Sequence, residues 1–364
     1  MPSKLRRHCV PIAIALASMS AGAIYTWLLG QDVNWDWQNY HEYNVWALLN
    51  GRYDVDAYPA GFQTYFNPVV YFPAYFLRHY LPQPWGMLIL GAVHGLNLLM
   101  VYFLARTILK GAATAGMVGA SLLIAASGPM TLSEVGTSFS DILTALPVLA
   151  GFILVLRGRH LLAGLLLGAA VGLKLTNVVY AFGAAAAVLA APRPLRSTIS
   201  LALGGAIGGV ATGGAWSLML WQETGNPVFP LFNGIFRSKE LWPINILDTQ
   251  FLPRNLWDAL AYPIYWMLGD NRSSEYPFRD ARFAVVMAFS LLCIGKRFVK
   301  RVSIFTREDI QFFVLVGLSY AAWLALFSIQ RYAVVLELAC GPLIVLLLLR
   351  CFTTRMPPGE QHAR

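Results

Sequence analysis

The feature that most constrains this chain is a series of apolar runs, each near bilayer length and parted from the next by short polar segments. Runs near residues 10–29, 86–105, 112–128, 139–156, 161–174, 176–191, 198–220, 283–295, 310–329 and 332–350 predict about ten transmembrane helices. A hydrocarbon core about 30 Å thick takes roughly 20 apolar residues of α-helix to cross. Composition points the same way: 12% of the residues are charged, against about a quarter in a soluble domain. The expected fold is therefore an all-α, polytopic transmembrane bundle, a single domain over residues 1–364. Val10–Leu29 follows Lys4, Arg6 and Arg7 as a signal peptide would. It is long for a signal-peptide core and reads as an uncleaved first span.

The fifth and sixth runs share one apolar stretch broken at Lys174-Leu-Thr-Asn177. A lysine in mid-hydrocarbon is costly, so this tetrapeptide is expected to tip a helical hairpin at the membrane face. The alternation of sides then separates the charges. The inner segments hold 17 Lys and Arg against Glu308, Asp309 and Glu360, a net of +14, and the outer segments hold 10 against 14 acids, a net of −4. The positive-inside rule sets both ends in the cytoplasm. It also accounts for the overall net charge of +9 without a nucleic-acid partner, because clustered bases between spans anchor helices to anionic lipid.

Two long outer loops remain, residues 30–85 and 221–282. The first is crowded with aromatic residues. A run from Gln38 to Asn50, stopped by Gly51, and a second from Pro68 to Tyr80 read as amphipathic helices lying at the outer interface. Asp36 falls just after the first span, and on a regular helix Asp36, Tyr40 and Asn44 share one face. A carboxylate walled by indoles and phenols is poorly solvated and suits a general base, although a helix cap or interfacial anchor would use the same position. The next outer turn carries Glu134 and Asp141. Capping the fourth span explains Asp141 and leaves Glu134 without such a role. Lys174 and Arg331, the cations at the outer ends of spans, suit a lipid phosphate or simple snorkelling to headgroups. Glu337 lies inside the last span and is expected to pair with a buried base. His94 and Asn97 read as interhelical hydrogen-bonding groups. No Walker loop, dinucleotide fingerprint, zinc motif or nucleophile elbow occurs, so a soluble nucleotide is not expected as substrate.

These residues carry a resemblance. An aspartate directly after the first span, an outer loop of interfacial helices and a second acidic outer turn resemble the GT-C superfamily of integral membrane glycosyltransferases. The phrases Trp-Asp36-Trp-Gln-Asn-Tyr40-His41, Leu49-Asn-Gly-Arg52, Gln63-Thr-Tyr-Phe-Asn67-Pro68, Glu134-Val-Gly-Thr137 with Asp141, Gly172-Leu-Lys174-Leu-Thr-Asn177, Gly225-Asn-Pro-Val-Phe-Pro230 and Gln330-Arg331-Tyr332 look like a bacterial branch of that group. The resemblance implies a polyprenyl-phosphate sugar as donor and an acceptor hydroxyl on a glycan, lipid or protein. It implies transfer with inversion on the periplasmic face of an inner membrane. Asp36 would be the base, and Lys174 or Arg331 would hold the lipid phosphate. Glu134 and Asp141, with Tyr40 and His41 beside the base, would position the acceptor or a divalent cation. Trp35 and Trp37 would stack on sugar rings, or serve only as an interface belt. Two other readings fit the same chain: a transporter or flippase of a lipid-linked saccharide, and a non-catalytic membrane assembly protein.

Overall fold

The computed structural model describes residues 2–53, 55–56, 58–270, 272–274, 277–300 and 304–352. Of the charges expected at the inner face, Arg301, Arg355, Glu360 and Arg364 lie outside the described residues, and so do the side chains of Lys4, Arg6, Arg7 and Lys300. Among the described residues every regular element is helical. In chain order these are α1 (Pro2–Leu29), α2 (Glu42–Leu49), α3 (Phe72–Tyr80), α4 (Trp85–Leu109), α5 (Ala115–Ala126) and α6 (Pro129–Glu134). There follow α7 (Ser140–Leu156), α8 (His160–Leu173), α9 (Val178–Leu189), α10 (Pro194–Gly209) and α11 (Ala215–Thr224). The last are α12 (Asn233–Phe236), α13 (Leu256–Leu268), α14 (Arg282–Lys300), α15 (Arg307–Leu326) and α16 (Val334–Phe352).

Each of the ten apolar runs is a helix, yet length divides them. Five stretches are long and apolar enough to cross a membrane: Cys9–Leu29, Trp85–Ala112, Pro194–Thr224, Arg307–Leu326 and Gln330–Phe352. Helices α5, α7, α8 and α9 have 12 to 17 residues, or about 18–26 Å at 1.5 Å per residue, short of the full hydrocarbon thickness. Helix α14 is long enough but contains Arg282, Lys296, Arg297 and Lys300.

Helix α16 lies at the centre, buried along its whole length from Val334 to Leu347. Its acid Glu337 and its base Arg350 are buried with partners, at 2.7 and 2.8 Å. Trp323 of α15, Trp266 of α13, Phe152 of α7 and Tyr180 of α9 are buried in the same core. Helices α8 and α10 approach more closely. A Cβ on Gly168 would lie 2.0 Å from the Gly205 carbonyl oxygen, and one on Gly208 would lie 2.0 Å from that of Leu165. Glycine is what lets these two backbones touch. The connections expected on the inner side also meet one another. Lys110 pairs with Glu308 at 2.9 Å, and Arg350 holds Asp309, the capping-box partner of Thr306 at the start of α15, at 2.8 Å.

The first long loop is helical where expected, but it does not lie as a flat aromatic sheet. Trp37, Tyr40, Tyr71 and Tyr75 turn inward with Val45 and Val70 into a small core of their own. Trp35, Trp46, Phe66 and Tyr80 stay exposed. Asn67 fastens this loop to the bundle by donating to the carbonyls of Gly172, at 2.8 Å, and Thr212, at 3.0 Å.

Candidate functional site

The entry to the first loop departs from a regular helix. Trp37–His41 forms a π turn before α2 begins. A π turn inserts a residue into the helical repeat and often marks a working site. Its effect is to bury Trp37, Tyr40 and His41 together with Asn44, whereas the regular spacing groups Asp36 with Tyr40 and Asn44. The turn is held from outside. Asn34 Oδ1 accepts from the Trp37 amide at 2.7 Å, and Asp32 Oδ1 accepts from the Asn34 amide at 3.1 Å.

Residues from four separate parts of the sequence converge beside it. Arg331 donates to Asp36 Oδ2 at 2.7 Å. Lys174, at the tip of the α8–α9 hairpin, donates to Asp141 Oδ2 at 2.6 Å. The same Asp141 oxygen lies 3.8 Å from Arg331 Nε. Four charges thus alternate in one line: Asp36, Arg331, Asp141, Lys174. The ring of Tyr332 sits 4.7 Å from Lys174 Nζ, and Phe139 sits 4.6 Å from the Arg331 guanidinium carbon. Aromatic faces of this kind steady cations that have been taken partly out of water.

Glu134 and Asp141 exchange the roles expected for them. Asp141 is in the first turn of α7, but its carboxylate is spent on Lys174. Glu134 reaches forward instead, and its Oε2 accepts from the Ile142 amide at 2.9 Å near the start of α7. Its Oε1 is buried with no hydrogen-bond partner. Burial first, and then the charge of Asp141, push the Glu134 carboxyl well above the usual carboxylate range, against the opposing pull of Arg331 and Lys174. His41 is held by Ser138 Oγ at 2.8 Å from Nδ1 and stacks on Tyr71 with ring centroids 4.1 Å apart. Burial, aided by Lys174 and Arg331, drives its pKa well below the usual imidazole range, so His41 is neutral.

The two indoles differ. Trp35 is 57% exposed and keeps a free surface. Trp37 is buried, and the Arg78 guanidinium carbon lies 4.0 Å from its ring centroid. Arg78 also pairs with Asp32 at 3.5 Å, and Asp32 Oδ2 accepts from the Ser138 amide at 2.8 Å. Asp32, Asn34, Arg78 and Ser138 therefore clamp the loop between α1 and α4 to the turn between α6 and α7. The sequence signal for this clamp was an acid one helical turn before Asp36 and a polar turn at Thr137–Ser138, neither of which names its partner.

Glu337 and the groups of α4 belong to the scaffold. Glu337 pairs with Arg282 at 2.7 Å and accepts from the amides of Met130, at 3.1 Å, and Thr131, at 2.6 Å. It thereby docks the start of α6 onto α16. His94 Nδ1 accepts from the Gly136 amide at 3.1 Å, and Asn97 donates to the Ile142 carbonyl at 2.8 Å. As for a divalent cation, the carboxylates that could bind one are already engaged. Asp36 is held by Arg331, Asp141 by Lys174 and one oxygen of Glu134 by an amide. Among the described residues no group of three or more His, Cys, Asp or Glu side chains is arranged to hold a metal ion. The residues present do not fit a metal centre. No protein-family model matches the chain, and no curated protein or solved structure is significantly similar to it.

Proposed function

We propose that this chain is a membrane glycosyltransferase that moves a sugar from a polyprenyl-phosphate donor to an acceptor hydroxyl. In this reading it is a bundle of about ten spans in a bacterial inner membrane, with both ends cytoplasmic and its site facing the periplasm. One observation carries the reading: a carboxylate just after the first span, Asp36, shares a partly buried cluster with two cations, Arg331 and Lys174, that suit a phosphate. The short hairpin supports it. Helices α8 and α9 would rise only about 21 and 18 Å from the inner face, leaving Lys174 sunk beneath the outer surface. A substrate carried on a lipid reaches such a depth sideways from the bilayer.

The chemistry is an inverting displacement. The acceptor oxygen attacks the anomeric carbon, and Asp36 takes the acceptor proton. The bond from the anomeric carbon to the phosphate oxygen breaks, and the electron pair leaves with polyprenyl phosphate. Arg331 and Lys174 stabilise the charge that develops on that oxygen. Tyr40, His41, Glu134 and Asp141 line the acceptor side, and Trp35 offers an indole face to a sugar ring.

The test is direct. Purified protein in lipid nanodiscs is given a radiolabelled polyprenyl-phosphate sugar and a cell-envelope extract. Label entering a new glycosidic product, with release of polyprenyl phosphate, supports transfer. Movement of labelled lipid-sugar across proteoliposomes with no new product favours a transporter instead.

A further inference from the structure

Arg331 is asked to serve two anions, and the bond to one weakens its hold on the other. It is paired with Asp36 at 2.7 Å, and under the reading above it must also bind a phosphate. Lys174 is no freer, since Asp141 holds it at 2.6 Å. Asp36 and Asp141 balance Arg331 and Lys174, so the line of four carries no net charge. Arg331 Nε is buried without a hydrogen-bond partner, and the nearest carboxylate oxygen, on Asp141, is 3.8 Å away. A buried N–H left unpaired in this way is unfavourable, and an incoming acceptor oxygen would satisfy it.

We propose that Arg331 is an exchangeable partner: a phosphate group entering the site draws it off Asp36, and only then is the carboxylate free to act as a base. The inference rests on the glycosyl-transfer reading and adds an order of events to it. The charges follow that order. A phosphodiester donor carries one negative charge. When the acceptor oxygen displaces the phosphate, the leaving phosphate monoester carries two, and Asp36, having taken the acceptor proton, carries none. The total is unchanged, and the hold of phosphate on Arg331, gained on entry, strengthens as the bonds exchange and Asp36 is neutralised. An empty site keeps its base masked, so an acceptor hydroxyl is not activated before the donor arrives. Only a side chain has to turn. Phe139 and Tyr332, at 4.6 and 5.7 Å from the guanidinium carbon, give it apolar walls to turn against.

Binding, read without turnover, tests this. Full-length protein in nanodiscs is titrated with undecaprenyl phosphate and, separately, with inorganic phosphate. If Asp36 competes for Arg331, Asp36→Asn binds the ligand about tenfold more tightly than the unmodified protein. Arg331→Gln binds it more weakly, and the double variant matches Arg331→Gln, because the gain needs the guanidinium. A gain with undecaprenyl phosphate alone makes the lipid the ligand, while an equal gain with inorganic phosphate makes the headgroup sufficient. Unchanged or weaker binding by Asp36→Asn overturns the exchange, as does a gain that survives loss of Arg331. The two readings fail separately. Loss of transfer in Asp36→Asn without tighter binding removes the exchange and keeps the enzyme, whereas tighter binding with transfer retained removes Asp36 as base.

Discussion

Asp36 and Arg331 are 295 residues apart in the chain and 2.7 Å apart in the fold. One follows α1 and the other precedes α16, so their contact closes one end of the bundle. Asp141 and Lys174 extend the closure inward. The cluster joins four segments and therefore ties site geometry to stability.

Removing Lys174 leaves the buried Asp141 with only the more distant Arg331, at 3.8 Å. Lys174→Ala should lower stability by about 2–4 kcal/mol, read as a fall in Tm in detergent. Lys174→Ala with Asp141→Ala should recover a clear part of that loss, since no unpaired charge then remains. A double variant no more stable than the single one would show that the pair is not coupled.

Acid should weaken the fold through His41. Its native pKa is depressed, so below the ordinary imidazole pKa of about 6.5 the unfolded chain takes up a proton that the native chain does not. Stability is thus complete above that pH and falls as the pH drops below it. Glu134 contributes in the opposite sense. Its raised pKa adds stability at low pH that is lost as the pH rises through the native value. His41→Asn should therefore lose less Tm than the unmodified protein between pH 7 and pH 5. Identical pH slopes would mean that His41 is not held neutral.

Much of this fold was legible in the sequence, because burial in lipid demands apolar helices and those are written as runs. The break between α8 and α9 at Lys174 and the buried partner of Glu337 followed from the same costs, and the end of α2 before Gly51 from the turn a glycine permits. The rest depends on tertiary contact. The π turn at Trp37–His41 has no pattern of its own and relies on Asn34 to hold its start. Glu134 serves α7 only because the turn at Gly136, with φ of +82°, folds it back over the helix start. Trp37 loses its free face to Arg78, which is 41 residues further along the chain. Helix lengths also divided ten apolar runs into five full-length stretches and shorter ones, a distinction that hydropathy alone blurs.

Glu337 should be structural rather than catalytic. Glu337→Ala leaves Arg282 with Asp280 and the Ile124 carbonyl and frees the amides of Met130 and Thr131. A loss of about 3–5 kcal/mol is expected, while Glu337→Gln, which can still accept from the amides, should lose less. A fully stable Glu337→Ala protein would show that α6 is held onto α16 by other contacts.

The α8–α10 seam should tolerate no side chain. Gly168→Ala and Gly208→Ala each drive a methyl group into backbone, at a cost of about 1–3 kcal/mol, whereas Gly119→Ala, which meets open space, should be neutral. Equal Tm values for all three would show a looser seam.

Glycosyl transfer centred on Asp36 is tested most directly by mass spectrometry of membrane glycolipids and envelope polysaccharide. The cells compared carry the unmodified protein, Asp36→Asn or no protein. The expected result is a glycan missing from both the deletion and Asp36→Asn, with Asp36→Asn protein at normal level in the membrane. A glycan missing only from the deletion would contradict catalysis by Asp36 and point to transport or assembly.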